Sequence, residues 1–224
     1  PYLTIPNMAN LNLNQFEIRD DGTFTVLSLD NRLGPDALSI RDASIYLEKT
    51  GSSLSSFKLK VNGGHLYLPL GDPIDLPDFW FDSNANFSRN ISVPILYLGP
   101  AFWTTANGTF TISAQNGVLN FKKTYPQYAL GLRALAGSVG MNLNSFEVNS
   151  QGLFTGSVSG QIQAGGFRLA QGTFTLSKVG SVVRMTIPQS APVNLYLGFA
   201  TASAYGYVNS DGTFQLSGGY GFTK

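Results

Sequence analysis

The chain contains no cysteine and only one histidine, His65. Without cysteine it can form no disulfide and carry out no thiol chemistry. A zinc site needs several cysteine or histidine ligands, and a Ser-His-Asp triad would have to use His65. His65 follows Gly63 and Gly64 and precedes a strand-like run, which favours a hairpin position over a catalytic one. We therefore expect no enzymatic activity and no resident transition metal.

Charged residues are also scarce, at 12% of the chain, which is roughly half the usual share. They are divided unevenly, because residues 1–100 carry eleven acids and seven bases, whereas residues 101–224 carry two acids and seven bases. This asymmetry reflects either drift in solvated loops or a charge dipole that steers like copies together head to tail. No run of lysine and arginine is interleaved with aromatic residues, so we expect no nucleic-acid partner.

Long apolar runs are missing as well. No stretch of about 18 apolar residues occurs, so the sequence predicts no membrane-spanning helix. The chain begins at Pro1 rather than at methionine, and we expect that a signal peptide, an upstream segment or a tag has been removed. Together with the avoidance of cysteine, which fits an extracellular bacterial protein, these features favour a secreted or cell-surface location.

Apolar and polar residues alternate with a period of two along much of the chain, for example in 57–61, 183–187 and 193–197. Each such run predicts a strand with one buried face. Between the runs lie dipeptides that adopt positive φ at little cost and therefore suit tight hairpin turns. These are Asp21-Gly22, Asn62-Gly63, Asn107-Gly108, Asn116-Gly117, Gln151-Gly152, Gln171-Gly172 and Asp211-Gly212. The sequence therefore predicts an all-β, largely antiparallel meander or sandwich, with a β-solenoid as the alternative.

The segment 128–136 is the main candidate for a helix. It contains Leu130, Leu132 and Leu135 at spacings that fit one helical face, but an internal glycine weakens the pattern. It predicts at most a short helix inside a connector, which we place at residues 123–140.

The chain resembles itself at an offset of about 130 residues. The run LNLNQFEI at 11–18 matches MNLNSFEV at 141–148 in five of eight positions, and the similarity resumes further along at an offset of 129. We interpret this pattern as a duplication that produced two homologous halves, 1–122 and 141–224. The halves would pack as a sandwich or continue as one elongated sheet.

A shorter pattern recurs inside these halves. A Leu-Tyr-Leu run at 96–98 and again at 195–197 is followed by the hairpin sequence NGTFTIS or DGTFQLS. With GGFRLAQGTFTLS and VNSDGTFQLSGG, this pattern resembles the degenerate β-repeats of very large bacterial surface proteins and adhesins. The resemblance covers about residues 141–221 and, loosely, the N-terminal half. It implies an extracellular, modular, non-catalytic part of a larger protein and points to no particular site residues.

Four aspartates recur every three or four residues in the segment 72–82, beside three consecutive aromatic residues. They are Asp72, Asp75, Asp78 and Asp82, with Phe79, Trp80 and Phe81. One interpretation is a proline-braced loop whose aspartates cap turns and whose aromatic side chains fill the core. Another is a calcium site at the first three aspartates, because oxygen ligands suit a hard cation. A third is a sugar site with an exposed Trp80 and flanking aspartates; hydrolysis by paired carboxylates is the weakest alternative.

Open sheet edges pair readily with further strands, and the N-terminal run Tyr2-Leu3-Thr4-Ile5 is suited to donation to a neighbouring copy. The sequence therefore predicts a non-catalytic structural or scaffolding repeat protein that assembles with copies of itself in a surface layer, fibre or adhesin stalk. The alternative is a carbohydrate- or calcium-dependent binding module centred on residues 72–82, with glycans as partners and calcium as the one candidate cofactor.

Overall fold

The computed structural model describes residues 2–5, 9–12, 14–20, 24–49, 57–82, 84–124, 130–134, 141–164, 167–196 and 200–222. Within these ranges the chain forms strands, turns and bends and contains no helix, so none that could cross a membrane. The pairings whose registers are defined are antiparallel. The prediction of an all-β, largely antiparallel fold is confirmed, and the pairings with defined registers are not those of the parallel coils of a β-solenoid.

The strands follow one another with short connections. They are β1 (Tyr2–Ile5), β2 (Ala9–Asn12), β3 (Gln15–Ile18), β4 (Phe24–Leu33), β5 (Ser39–Lys49), β6 (Phe57–Asn62), β7 (His65–Tyr67), β8 (Ile74–Asp75), β9 (Phe79–Phe81), β10 (Phe87–Val93), β11 (Phe102–Thr104), β12 (Gly108–Gln115), β13 (Val118–Lys123), β14 (Leu130–Ala134), β15 (Met141–Asn149), β16 (Phe154–Ala164), β17 (Phe167–Val179), β18 (Val182–Ile187), β19 (Val193–Tyr196), β20 (Ala200–Asn209) and β21 (Phe214–Phe222).

The chain folds into two compact units that take up the sequence alternately. The first unit contains Pro1–Ile91, Phe110–Lys122 and Val148–Leu153, and the second contains Ser92–Thr109, Lys123–Glu147 and Phe154–Lys224.

The first unit is organised around a seven-stranded sheet in the order β3-β4-β5-β6-β9, in which β7 pairs with β5 and β8 pairs with β7. β1 and β2 form a separate two-stranded hairpin, and β10, β12 and β13 pair in that order. Apolar residues at alternating positions along these strands meet in its core, as the period-two pattern requires. Its buried residues include Leu33, Leu38, Ile40, Ile45, Val61, Leu66, Phe79, Phe81, Phe87, Phe110, Ile112, Leu119 and Phe121.

In the second unit, β11 pairs with β14, and the sheet continues in the order β14-β15-β16-β17-β18-β20. β19 pairs with both β20 and β17, and β21 pairs with β20. Its buried residues include Leu96, Leu98, Phe102, Leu130, Leu132, Met141, Leu143, Phe146, Phe154, Val158, Phe174, Leu176, Val183, Met185, Val193 and Val208.

The prediction of a short helix in the connector is wrong for the residues that the structure describes there. Leu130–Ala134 is strand β14, which lies between β11 and β15. Leu130 and Leu132 are buried, and Gly131 between them is only half-buried. Such alternation is the period-two pattern of a strand, and a tertiary partner on each side outweighs the weak helical spacing. Residues 125–129 and 135–140 of the predicted connector lie outside the described part of the chain.

Two of the predicted hairpin turns have opposite outcomes. Asn116 and Gly117 have φ of 51° and 77°, which is the backbone that a tight turn between β12 and β13 requires. Gln171 and Gly172, in contrast, lie inside β17, so the turn predicted there is wrong. Strand β19 pairs with β17 at Ala170 and Gln171, and a Cβ on Gly172 would lie 2.5 Å from Cγ1 of Val193. The glycine allows close approach of a strand rather than a change of direction.

Two hairpins have the same register. In the β4–β5 pair Val26 lies opposite Leu47, and in the β16–β17 pair Gly156 lies opposite Leu176. These positions are 130 and 129 residues apart, which are the offsets seen in the sequence comparison.

Three turns share one set of hydrogen bonds: turn A (82–87), turn B (149–154) and turn C (209–214). In each, the N–H of the first residue donates to the carbonyl of the fifth, at 2.7, 3.0 and 2.8 Å, and the N–H of the fourth donates to the carbonyl of the first, at 3.0, 3.1 and 3.0 Å. The fourth residue has positive φ in all three. These residues are Ala85 (59°), Gly152 (96°) and Gly212 (89°).

The second residue of turns B and C is a serine that ties the turn to a neighbouring strand. Ser150 donates its N–H to the carbonyl of Leu119 at 2.9 Å, and its Oγ accepts the N–H of Leu119 at 3.0 Å. Ser210 makes the same two bonds to Val183, at 2.7 and 3.0 Å. This pairing satisfies buried backbone groups of Leu119 and Val183 and fixes each turn against its neighbour.

Candidate functional site

The three consecutive aromatic residues of β9 divide between the core and the surface. Phe79 and Phe81 are buried, whereas Trp80 is 47% exposed, because successive side chains of a strand point to opposite faces. The ring of Phe87 lies 4.3 Å from that of Phe79 and 4.9 Å from that of Phe81, measured between centroids. Two of the three aromatic residues thus fill the core as one interpretation predicted, and the third is exposed as the sugar-site interpretation requires.

Two lysines flank the exposed indole. Lys60 of β6 lies opposite Trp80 in the β6–β9 register, and its Nζ is 5.9 Å from the ring centroid. Lys58 lies 6.0 Å from the same centroid. Lys60 also forms an ion pair with Asp78 at 2.8 Å, so one of the two cations beside the ring has a carboxylate partner. Both ammonium groups therefore lie over the ring within cation–π range.

A groove of about 670 Å³ opens beside Trp80, within the first unit. Phe81, Phe87 and Ala114 provide its apolar part, and the remaining lining residues carry hydrogen-bonding groups. The polar lining consists of Asp82, Asn86, Ser88, Ser113 and Gln115, with Trp80 at the border. The groove is thus a concave surface that combines an aromatic ring with several hydrogen-bond donors and acceptors, the usual composition of a small-molecule site.

Turn A holds the carboxylate of Asp82 in place at this groove. Its Oδ1 accepts the N–H of Asn86 at 2.8 Å and that of Asn84 at 2.9 Å. The bond from the Asn86 N–H is the main reason that the pKa of Asp82 lies below its usual value, so the group is ionised at neutral pH. The side chain of Asn86 in turn accepts the N–H of Asn116 at 3.0 Å, which fastens turn A to the β12–β13 turn.

The other aspartates of the segment have separate partners. Asp78 accepts bonds from Lys60 Nζ and from the N–H of Gly63 at 3.1 Å, and these two bonds, the lysine first, lower its pKa. Asp75 lies beside His65, and Asp72 is exposed. In the part of the chain that the structure describes, no group of three or more acidic or histidine side chains is close enough to hold a metal ion. Calcium binding at Asp72, Asp75 and Asp78 stays a prediction.

The single histidine lies between two carboxylates, an arrangement that sequence reasoning missed. His65 Nε2 is 3.2 Å from Asp75 Oδ1, and Nδ1 is 3.6 Å from Asp42 Oδ2. Asp42 also accepts the hydroxyl of Tyr67 at 3.1 Å, and this hydrogen bond raises the pKa of Tyr67. Asp42 is 23 positions upstream of His65, and only the β5–β7 pairing brings the two together. The cluster links the ends of β5, β7 and β8.

The N-terminal segment predicted for strand donation forms β1 of a hairpin. Tyr2 lies opposite Asn12 and Ile5 opposite Ala9, and the hydroxyl of Thr4 donates to Asn10 Oδ1 at 2.9 Å. In the described residues β1 pairs with β2 alone, so one of its edges is paired and the other is open. Its role in assembly stays a prediction.

The strand after turn C has an exposed edge that the sequence did not single out. β21 pairs with β20 and, among the residues that the structure describes, with no other strand. All residues from 211 to 219 are exposed, and Phe214 is 66% exposed. The corresponding residues of turns A and B, Phe87 and Phe154, are each only 8% exposed.

The aromatic residue on the strand before turn C is covered. Tyr207 lies two residues before turn C, as Trp80 lies two residues before turn A. The guanidinium carbon of Arg184 is 3.7 Å from the centroid of Tyr207, and its Nε donates to Asn209 Oδ1 at 3.0 Å. Arg184 therefore stacks on this ring, whereas the lysines near Trp80 stay about 6 Å away.

The chain matches no family model, no curated protein and no solved structure. Its function is therefore argued from the geometry of the described residues.

Proposed function

We propose that this protein is a non-catalytic structural repeat protein of a secreted or cell-surface assembly, and that it associates with further copies of itself by adding a strand to the edge of β21. The observation that carries the proposal is the exposed edge at Phe214 and Leu216, which are 66% and 43% exposed. An unpaired strand edge with apolar side chains is a template for pairing with another chain.

The repeated geometry supports a modular origin. Turns A, B and C share their hydrogen bonds, and the β4–β5 and β16–β17 hairpins share their register. β4, β10 and β16 each pair with a strand further along the chain, namely β5, β12 and β17. β21 follows turn C as β10 follows turn A. We therefore expect β21 to accept an antiparallel strand in the place where β10 accepts β12.

The donor strand that we propose is β1 of a neighbouring copy. β1 has one open edge in the described structure, and its segment Tyr2–Ile5 consists of residue types that are common in strands. The excess of acids in residues 1–100 and of bases in residues 101–224 favours head-to-tail approach of two copies. Association driven in part by this asymmetry weakens with salt.

Sedimentation velocity over a range of protein concentrations tests this proposal. We expect the wild-type sedimentation coefficient to rise with concentration and to rise less at high salt. The double variant Phe214→Lys, Leu216→Lys should remain monomeric, because charges on a strand edge block pairing. Val179→Lys is the matched control, since Val179 is 41% exposed but lies at the end of β17, opposite Val182 of β18, and not on β21.

Wild-type protein that stays monomeric at every concentration would contradict self-assembly. Equal association of the double variant and the wild type would contradict the role of β21. A chain that lacks residues 1–6 should lose association, and full retention would exclude β1 as the donor.

A further inference from the structure

The indole of Trp80 is exposed although the residues on both sides of it are buried. Trp80 is 47% exposed on a strand whose other two residues are buried, whereas Tyr207 at the matching place before turn C is half-buried beneath Arg184. A stacked guanidinium stabilises an aromatic face and removes it from solvent. Over Trp80 the ammonium groups of Lys58 and Lys60 are 6.0 and 5.9 Å from the ring centroid and leave the ring 47% exposed, beside a groove.

The groove beside the ring presents both donors and acceptors. Ser88 and Ser113 carry hydroxyls, Gln115 carries an amide, and Asp82 carries an ionised carboxylate. They belong to β10, β12 and turn A, which converge on one side of Trp80. A ligand that fits must therefore offer an apolar face to the indole and several hydroxyl groups to the polar side chains.

The polar side of the groove is held in place before any ligand arrives. The carboxylate of Asp82 is fixed by the N–H groups of Asn84 and Asn86, and Asn86 is fixed in turn by Asn116. Because these groups need little reordering on binding, less conformational entropy is lost when a ligand is bound.

The charges favour a neutral ligand. Asp82 is the only ionised side chain in the lining of the groove among the described residues, and it would repel an anion. Lys60 is paired with Asp78 at 2.8 Å, and Lys58, 6.0 Å from the indole centroid, lies outside the lining of the groove. An anionic sugar would thus meet a carboxylate in the groove, while a neutral sugar would meet a strong hydrogen-bond acceptor.

We propose that this groove binds a neutral hexopyranose unit of a polysaccharide, which stacks its C–H face on Trp80 and gives its hydroxyls to Asp82, Ser88, Ser113 and Gln115. Pyranose rings have the required two-sided chemistry, since one face carries C–H groups and the ring edge carries hydroxyls. Binding of this kind is a second function, independent of the β21 edge, and needs neither a metal ion nor catalysis.

Native electrophoresis in gels that contain a polysaccharide measures such binding directly. We expect neutral hydroxyethylcellulose or galactomannan to retard the wild-type protein and anionic polygalacturonate to leave its mobility unchanged. Trp80→Ala should weaken binding by about tenfold or more and Gln115→Ala by a few-fold, since a stacking platform dominates such sites. Tyr207→Ala is the matched control and should bind like the wild type, because Tyr207 lies outside the groove.

A second readout separates loss of the site from loss of the fold. In Trp103→Phe the indole of Trp80 is the only tryptophan, and its fluorescence should change on titration with a neutral oligosaccharide. Trp80→Ala should keep the wild-type circular dichroism and unfolding midpoint, because the side chain is half exposed. The proposal is overturned if neither neutral polysaccharide retards the wild type, if only the anionic polymer does, or if Trp80→Ala binds as tightly as the wild type.

Discussion

Turn A and turn C share two backbone hydrogen bonds and expose opposite features. Turn A is preceded by an open aromatic ring, Trp80, and followed by a buried Phe87. Turn C is preceded by a covered ring, Tyr207, and followed by an exposed Phe214. The hydrogen bonds within the two turns differ by 0.1 Å or less, so the difference does not arise in the turn itself. It arises from what the neighbouring elements supply.

Two local substitutions account for the contrast at the rings. The first concerns the residue three positions before the turn. It is Phe79 before turn A, Phe146 before turn B and Gly206 before turn C. Phe87 and Phe154 therefore pack against an aromatic ring, at 4.3 and 5.4 Å, whereas glycine has no ring to offer Phe214.

The second substitution concerns the cation. In the matching registers, Lys58 before turn A corresponds to Arg184 before turn C. The planar guanidinium of Arg184 stacks on Tyr207 at 3.7 Å from the ring centroid, while the flexible ammonium of Lys58 stays 6.0 Å from the centroid of Trp80. One backbone thus supports a groove in one place and an open strand edge in the other.

The largest difference should appear when the two phenylalanines are truncated. Phe87→Ala should lower the free energy of unfolding by about 3–5 kcal/mol, because it removes a buried ring that packs on two others. Phe214→Ala should change it by no more than about 0.5 kcal/mol, because that ring is mostly in solvent. Urea unfolding at low protein concentration, where association is absent, measures both. Equal effects would show that the two phenylalanines do not differ in burial in solution.

Substitutions of the fourth turn residue should have smaller effects on stability, with opposite signs in turns A and C. Ala85 has φ of 59°, a conformation that costs an L-residue energy and glycine little. Ala85→Gly should therefore stabilise the protein by about 0.5–1 kcal/mol, and Gly212→Ala should destabilise it by about 1 kcal/mol. A Cβ on Gly212 meets no atom within 4 Å, so its cost is that of the backbone alone. Denaturation midpoints of the two variants should move in opposite directions, and a shift in the same direction would contradict the shared turn conformation.

The smallest effect should be on the stability of the fold at low pH. Hydrogen bonds lower the pKa of Asp82, chiefly through the N–H of Asn86, and that of Asp211, chiefly through the hydroxyl of Thr213. A carboxyl whose folded pKa is depressed contributes stability above its unfolded pKa, near 3.8, and loses that contribution as pH falls through the folded pKa. The unfolding midpoint of the wild type should thus fall as the solution is acidified below the unfolded value. The double variant Asp82→Asn, Asp211→Asn should show a shallower fall, and an identical profile would refute this role of the turn carboxylates.

Sequence reasoning reaches as far as local periodicity and turn chemistry. The period-two pattern predicts the strands, and the alternation along β9 explains why Trp80 is exposed while Phe79 and Phe81 are buried. The Asn116-Gly117 turn was predicted from its residue types, because positive φ is a local property.

What the sequence did not reveal depends on contacts between distant segments. Ser113 and Gln115 are more than 30 positions from Trp80, and only the order of the strands places them at one groove. The glycine of Gln171-Gly172 has the residue type of a turn, and only the pairing of β19 with β17 shows that it makes room for Val193. Leu130–Ala134 looks helical until its partners on either side are known. Local patterns cannot encode which strands become neighbours.

Hydrogen exchange at the two strands that follow turns A and C tests the central claim most directly. Each strand has one partner among the described residues, but Phe87, Ile91 and Val93 of β10 are buried, whereas residues 214–219 of β21 are all exposed. The amides of β21 should therefore exchange faster in dilute protein. Raising the concentration by roughly a hundredfold should slow exchange in β21 and leave β10 unchanged, because the proposed association covers the edge of β21 and not that of β10. Exchange in β21 that is as slow as in β10 when dilute, or that does not respond to concentration, would contradict the account.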